Sequence, residues 1–290
     1  MNLLRLFRAA GEIAGALATH PRLSFRRLRN LARPLRGNLF AEDWQPRAAV
    51  EGLPGKPPEL AGVGSTNPLR TYFEAHTEGR GIWKWDHYFD IYHRHLSRFI
   101  GREVHVLEIG VYSGGSLEMW KEYFGPNCRI YGVDVQEACK AYEDERTKIF
   151  IGSQGDRRFW KNFKSQVPRL DVLIDDGGHH THQQIVTLEE MLPHLQPGGV
   201  YFCEDVVGSL NGFATYVFGL ADRLHEQGAR DRSPFQQAIA SIHLYPFVVA
   251  IEKNLARPER FKNRRTGTEW QPFYKKIPAP PRAGTPRREA

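Results

Sequence analysis

Two short segments carry titratable side chains at spacings that suit chemistry. The first is D-D-G-G-H-H, residues 175–180, and the second is the Glu204 and Asp205 pair. Clustered carboxylates with open positions suit a hard divalent cation such as Mg²⁺, which keeps waters and takes substrate oxygens. His179 stands three residues after Asp176, placed to receive a proton. Asp176 and Asp205 are 29 residues apart, one strand–helix–strand repeat, so adjacent parallel strands would bring both to one edge of a sheet. A single acid of this kind reads equally well as a helix N-cap. Acids converging at two strand ends, with histidines beside them, read as a site.

A third segment, V-H-V-L-E-I-G-V-Y-S-G-G-S at residues 104–116, supplies the other half. The apolar run 104–107 has the length and composition of a buried parallel strand. It ends in Glu108, a turn with Gly110, Gly114 and Gly115 follows, and a helical pattern begins at Ser116. Glycines let a ligand approach the backbone, and the helix N-terminus offers unpaired N–H groups. A carboxylate at Glu108 would repel a pyrophosphate but attract an amino-acid ammonium group, which favours S-adenosylmethionine over NAD. The bland alternative is a tight β–α turn with no ligand. Asp134, at the end of the next strand and 26 residues beyond Glu108, is placed to accept both hydroxyls of an adenosine ribose. Gln154 and Asp156, after the third strand, stand where an adenine amino group would be bonded, and Asp156 is equally well placed as an N-cap. With Gly110, Gly114, Ser116 and Asp175, these complete the expected cofactor-binding set.

The elements that must position these residues follow from pattern. Strands are expected at 104–107, 129–134, 148–151, 170–174 and 200–203, with helices at 116–123, 156–166, 181–195 and 211–226. Two apolar runs at 238–245 and 247–253 meet at Pro246, too close for anything but an antiparallel hairpin. The fold class is therefore α/β: a doubly wound, Rossmann-like seven-stranded sheet, mostly parallel with a C-terminal antiparallel hairpin. An aromatic-rich helical pattern at 84–96 precedes the first strand. There His87, Tyr88 and Tyr92 either line a pocket at the carboxyl edge of the sheet or simply pack the helix onto it.

The net charge of +7 divides unevenly over the 290 residues. Residues 1–37 carry +7, residues 254–290 carry +7, and the middle carries −7. An acidic core argues against a nucleic-acid enzyme, whose catalytic face should be basic. Residues 1–70 read as a basic arm and linker, 71–253 as the folded domain with a helical cap, and 254–290 as a basic, Pro-rich, disordered tail. Apolar residues recur at helical spacing over 3–17, an amphipathic pattern compatible with contact to an anionic membrane surface or with a solvated extension. Glu12 argues against a cleaved secretory signal, while an arginine-rich, acid-poor start also fits an organelle transit peptide. Cys128, Cys139 and Cys203 show no metal spacing and read as free thiols in a reducing, cytoplasmic setting. No apolar run approaches the ~20 residues of a membrane span. A homo-oligomer is left open.

The segments E-I-G-V-Y-S-G-G-S, D-D-G-G-H, P-G-G-V-Y-F-C-E-D and S-I-H-L-Y resemble the metal-dependent sugar O-methyltransferases of macrolide biosynthesis. Rhamnosyl O-methyltransferases and cephalosporin-hydroxylase-like proteins are similar as well. The resemblance covers roughly 72–253 and implies a class I methyltransferase that uses S-adenosylmethionine and Mg²⁺ (or Mn²⁺). It implies Asp176, Glu204 and Asp205 as metal ligands, His179 as the base, and a sugar hydroxyl or glycosylated small molecule as acceptor. Gly178 stands where the family has serine, and G-S-Q-G-D replaces its G-D-Q-S-D. Rival readings are a catechol-type O-methyltransferase, an NAD-dependent oxidoreductase, which would give the metal acids no role, and a non-catalytic adapter held at a membrane by the basic arms.

Overall fold

The computed structural model describes residues 41, 67–208, 211–225, 233–259, 261, 264, 266 and 267. The amphipathic pattern at 3–17, most of the linker and nearly all of the basic tail lie outside these residues. Helix α1 (Pro68–Ala75) begins inside the stretch read as linker, because Asn67 caps it by accepting from the Leu69 N–H and Pro68 fits the first turn. Helix α2 (Tyr88–Leu96) is shorter than the 84–96 pattern suggested, and residues 81–85 ahead of it are not helical. We call residues 77–87 the strap.

The core then alternates in order: β1 (Val104–Ile109), α3 (Gly115–Phe124), β2 (Cys128–Asp134), β3 (Thr147–Ile151), α4 (Arg157–Gln166), β4 (Val172–Asp175), α5 (Thr181–Met191) and β5 (Val200–Cys203). Helices α6 (Gly212–Leu224) and α7 (Pro234–Ala238) lead into β6 (Ile239–Tyr245) and β7 (Val248–Lys253). The strand order is β3-β2-β1-β4-β5-β7-β6. Strands β1 to β5 pair in parallel, and β7 runs antiparallel to both β5 and β6. The expected sheet is thus present. Its order reverses between β1 and β4, which opens a crevice at the carboxyl ends of those strands.

Alternation along the strands fills two apolar layers. Val104, Val106, Val172, Ile174, Val200 and Phe202 face α1, α2 and α3, where Tyr92, Leu96, Trp120 and Phe124 are buried. Leu107, Ile109, Leu173, Tyr201 and Ile251 face α4, α5 and α6 through Trp160, Phe163, Leu188 and Phe213. Helix α2 is also tied to β7, where Glu252 accepts from Arg98 at 2.7 Å and lies 3.1 Å from His95. Burial raises the Glu252 pKa, but Arg98 and His95 outweigh it and hold the carboxyl at about 2.

Strand β1 runs two residues further than the apolar run indicated, and this decides where Glu108 points. It stays in register opposite Ile174 of β4 and shares the face of Val104 and Val106, so its carboxylate emerges beneath α3. The turn after β1 is held tightly. A Cβ on Gly110 (φ +88°) would overlap the Asp176 backbone carbonyl, and one on Gly115 would overlap the carbonyls of Arg80 and Gly81. The glycines are required first by neighbouring chain, which locks the β1 turn to the β4 turn and to the strap.

Candidate active site

A cavity of about 660 Å³ occupies the crevice. Its walls are the turn after β1, the ends of β2 and β3, residues 176–179 after β4, Glu204 and Asp205 after β5, and the strap with Tyr88. This volume suits one or two small-molecule ligands. The strap alternates across it: Trp83 is 84% exposed, the Lys84 side chain is only 3% exposed, and Trp85 is half-exposed.

The Lys84 ammonium sits among acids. Its Nζ lies 2.5 Å from Asp176 Oδ2, 3.0 Å from Glu204 Oε2 and 3.6 Å from Glu108 Oε1. Burial lowers the lysine pKa, yet the Glu204, Asp176 and Glu108 carboxylates outweigh it and hold it above the ordinary value. Glu204 is buried, and the hydroxyl of Tyr92 donates to its Oε1. Burial pushes its carboxyl up, Lys84 pulls it down, and the balance is above the usual range. Glu108 is likewise raised by burial against the pull of Lys84 and of Ser116, whose hydroxyl donates to it at 2.7 Å.

The outward side of the cluster is arranged differently. Asp205 Oδ1 accepts from Trp85 Nε1 at 3.1 Å and from the Tyr88 hydroxyl at 2.8 Å. That leaves Asp205 Oδ2 facing His179 Nε2 at 3.6 Å, and His179 Nε2 lies 3.9 Å from Asp176 Oδ1. These three residues offer ligand atoms within 4.8 Å of one another. The two free carboxylate oxygens, open on one side, fit a hard divalent cation with room for waters or substrate oxygens, and the imidazole nitrogen stands beside them. Asp176, His179 and Asp205 are therefore brought together as expected, whereas Glu204 adjoins them but is engaged inward with Lys84 and Tyr92.

On the cofactor side, Gly110 and Ser116 line the cavity, and Gly114 packs against the Tyr142 ring. Asp134 lines it too, but Oδ2 accepts from the N–H groups of Val111 and Tyr112 and Oδ1 from Gln136 N–H. One acceptor position remains on Oδ1, not the pair anticipated for a ribose. Gln154 is buried: Nε2 donates to Asp175 Oδ1 and Thr187 Oγ1, while Oε1 accepts from Gly178 N–H. Asp156 caps α4 by accepting from Arg158 N–H and is not among the lining residues. Glu108 does not line the cavity either, since Lys84 takes the place proposed for a ligand ammonium. Of the three aromatic candidates, Tyr88 lines the cavity, Tyr92 lies behind it, and His87 binds the Pro246 carbonyl at 2.9 Å.

Asp175 sits beneath the turn, bonded by Gln154 and by the Tyr201 hydroxyl at 3.2 Å. Burial pushes its pKa up to about 6. An acid whose folded-state pKa is raised favours the fold while protonated, and that contribution is lost as pH rises from about 4 to about 6. Asp175→Asn should therefore stabilise the protein at pH 8 by roughly 1–3 kcal/mol, and the gain should vanish near pH 4. Urea unfolding at the two pH values measures this. A gain of equal size at both would contradict the assignment.

Of the four non-glycine residues with positive φ among those described, Tyr112 (49°), His179 (52°) and Asp205 (52°) line this cavity, and Phe247 (65°) stands behind its wall. Phe247 packs on the lining residue Trp85, with ring centroids 5.0 Å apart. Strain concentrated at one place marks a functional site.

Residues 107–206 match the family described as a methyltransferase domain. These residues form a methyltransferase domain. Its sheet is Rossmann-like, and the curated relatives it matches are named as O-methyltransferases. The rhamnosyl tetracenomycin-C 2'-O-methyltransferase of Streptomyces olivaceus is 28% identical over 199 residues, 60% of this chain and 52% of that protein. The mycinamicin VI 2''-O-methyltransferase of Micromonospora griseorubida is 34% identical over 157 residues, 51% of this chain and 38% of that protein. The MycE methyltransferase of mycinamycin biosynthesis, solved with Mg, SAH and mycinamycin VI, superposes with a TM-score of 0.55 at 27% identity. That alignment covers 65% of this chain and 53% of the other. The chain thus spans about half the length of the first of these relatives. The site contains a group that the sequence reading passed over, Lys84, which lies outside the matched residues. An acid-rich sheet edge, with a lysine opening the aromatic segment ahead of the first strand, was the available signal. No helix among the described residues is long and apolar enough to cross a membrane.

Proposed function

We propose that the domain transfers a methyl group from S-adenosylmethionine to a hydroxyl of a sugar on a glycosylated small molecule, with Mg²⁺ or Mn²⁺ at Asp176 and Asp205. The outward-facing trio of Asp176, His179 and Asp205 carries this reading, supported by the activities of the relatives named above. A bound divalent ion would lower the pKa of an acceptor hydroxyl that by itself holds its proton about as tightly as water does. The chain's own residues do the rest. His179 Nε2, beside the two carboxylates and not counted among the ion's ligands, takes the hydroxyl proton. Trp85 and Tyr88 fix Asp205 through its inner oxygen and keep the outer one directed at the cavity. The crevice between β1 and β4 holds the methyl donor, with Asp134 offering its remaining acceptor position and the turn after β1 lying against it. Trp83, Trp85 and Tyr112 form the aromatic rim of the cavity and offer flat apolar faces to the acceptor.

Incubation with methyl-labelled S-adenosylmethionine, Mg²⁺ and a panel of rhamnosylated and macrolide glycosides should place label on a sugar oxygen, and a chelator should suppress it. Label on simple catechols with none on any glycoside would overturn the sugar reading in favour of the aromatic-diol one.

A further inference from the structure

Lys84 has more acids around it than an ammonium group can satisfy. Its three protons are directed at Asp176 Oδ2 and at the two oxygens of Glu204, at 3.2 and 3.0 Å. Glu108 Oε1, at 3.6 Å, is left outside hydrogen-bond reach. That oxygen is buried and no hydrogen bond of good geometry reaches it among the described residues: its sister oxygen is bonded by Ser116, and the Trp120 indole N–H, itself without another partner, lies against the same carboxylate. A buried carboxylate oxygen without a donor is costly, and this one faces an ammonium group.

Lys84 holds Asp176, one of the two carboxylates assigned to the divalent cation above, and Glu204, the third acid that the resemblance implies as a ligand. An ammonium at hydrogen-bond distance from Asp176 and Glu204 disfavours a doubly charged ion on the same two carboxylates by direct repulsion. We propose that Lys84 is a tethered cation with two seats. Its ammonium occupies Asp176 and Glu204 until a divalent ion takes those carboxylates, and it then passes to Glu108 Oε1. The proposal rests on the metal-assisted reading given above.

The two seats lie close enough for the flexible four-carbon stem to exchange them without opening the strap. Closing from 3.6 Å to the ~2.8 Å of a charge-assisted hydrogen bond needs a shift of about 1 Å. In the second seat the orphaned oxygen of Glu108 gains its donor, and Glu204 is released to turn toward the ion. Glu108 is then a positioning residue that receives the lysine, in place of a group that binds a ligand ammonium. The ion meets a site whose vacant form is only partly populated, so its apparent affinity is lower than its intrinsic one.

The test is a Mn²⁺ titration of the full chain followed by electron paramagnetic resonance, without methyl donor. It compares wild type, Lys84→Met, Glu108→Gln and the double variant, with thermal midpoints as a check on folding. Removing the competing ammonium should tighten Mn²⁺ binding by about tenfold or more. Glu108→Gln removes the receiving charge and should weaken binding by about threefold or more beside the native lysine, with a smaller penalty in the Lys84→Met background. A folded Lys84→Met protein that binds Mn²⁺ no more tightly than a wild type that does bind it overturns the lysine assignment alone. Should Lys84→Met fail to fold, an unchanged dissociation constant in Glu108→Gln overturns it instead. If no variant and no wild-type protein binds Mn²⁺, the metal-assisted reading falls, and the two-seat lysine with it.

Discussion

Replacing His179 by alanine is expected to slow methyl transfer by about 10²–10⁴-fold, the usual contribution of a positioned general base. The side chain stands in the mouth of the cavity with Nε2 between Asp176 and Asp205. Nothing in the fold depends on it: the ring is partly exposed, and the turn that carries it is held by Gly178 N–H on Gln154 and by Gly110 against Asp176. Affinity for S-adenosylhomocysteine should therefore stay within about threefold of wild type, because the base acts in the transition state and contributes little to ground-state binding. Single-turnover transfer and equilibrium binding of S-adenosylhomocysteine separate the two effects. Loss of cofactor affinity in parallel with rate would mean that His179 supports the binding site and is not the base.

Gly110→Ala should be the most damaging small substitution in the domain. The residue has φ +88°, which alone costs a side chain about 1–2 kcal/mol. The added Cβ also meets backbone on the opposite turn, the Asp176 carbonyl, which cannot rotate away as a side chain would. A loss of roughly 3–5 kcal/mol is expected, together with displacement of Asp176 from its place beside Lys84. Gly101→Ala is the control, since φ is +74° there but nothing lies within 4 Å of the added atom. Urea unfolding of the two variants isolates the close approach from the dihedral cost. If Gly110→Ala is no less stable than Gly101→Ala, the locking of the two turns is not what the glycine serves.

The regular part of this fold is legible in the sequence because strands buried on both faces leave unbroken apolar runs with punctuation at their ends. Val200 to Cys203 lies where Pro197 and the two glycines after it place it, and the antiparallel return of the last two strands follows from Pro246 allowing no room for a crossover. The site is legible in its outer layer for the same reason: Asp176 and Asp205 end adjacent parallel strands, so counting one repeat brings them together. The inner layer is less accessible to that reading. Glu108 looks like a strand-terminal acid because a charge interrupts the apolar run, yet the strand continues through it, with Lys84 and Ser116 compensating the charge. Lys84 itself is hidden by periodicity. The aromatic spacing over 84–96 suggests helix and hence a solvent-facing lysine, whereas residues 81–85 are not helical and the ammonium turns inward. Similarly, Gln154 and Asp134 offer polar atoms at the right strand ends, and only the hydrogen bonds reveal how many of those atoms the backbone already uses.

The lysine and the carboxylates it joins are far apart along the chain: 92 residues to Asp176 and 120 to Glu204, with Tyr88 and Tyr92 reaching 117 and 112 residues to Asp205 and Glu204. Each strand–helix–strand unit of the sheet closes over a much shorter loop, so the sheet gains its contacts early, at lower entropic cost. Burying the ammonium is favourable only where β4 and β5 stand side by side and present its counter-charges. Without Lys84 in place, Glu108, Asp176 and Glu204 would face one another uncompensated. Seating the strap relieves the repulsion among these acids, at the cost of closing a long loop.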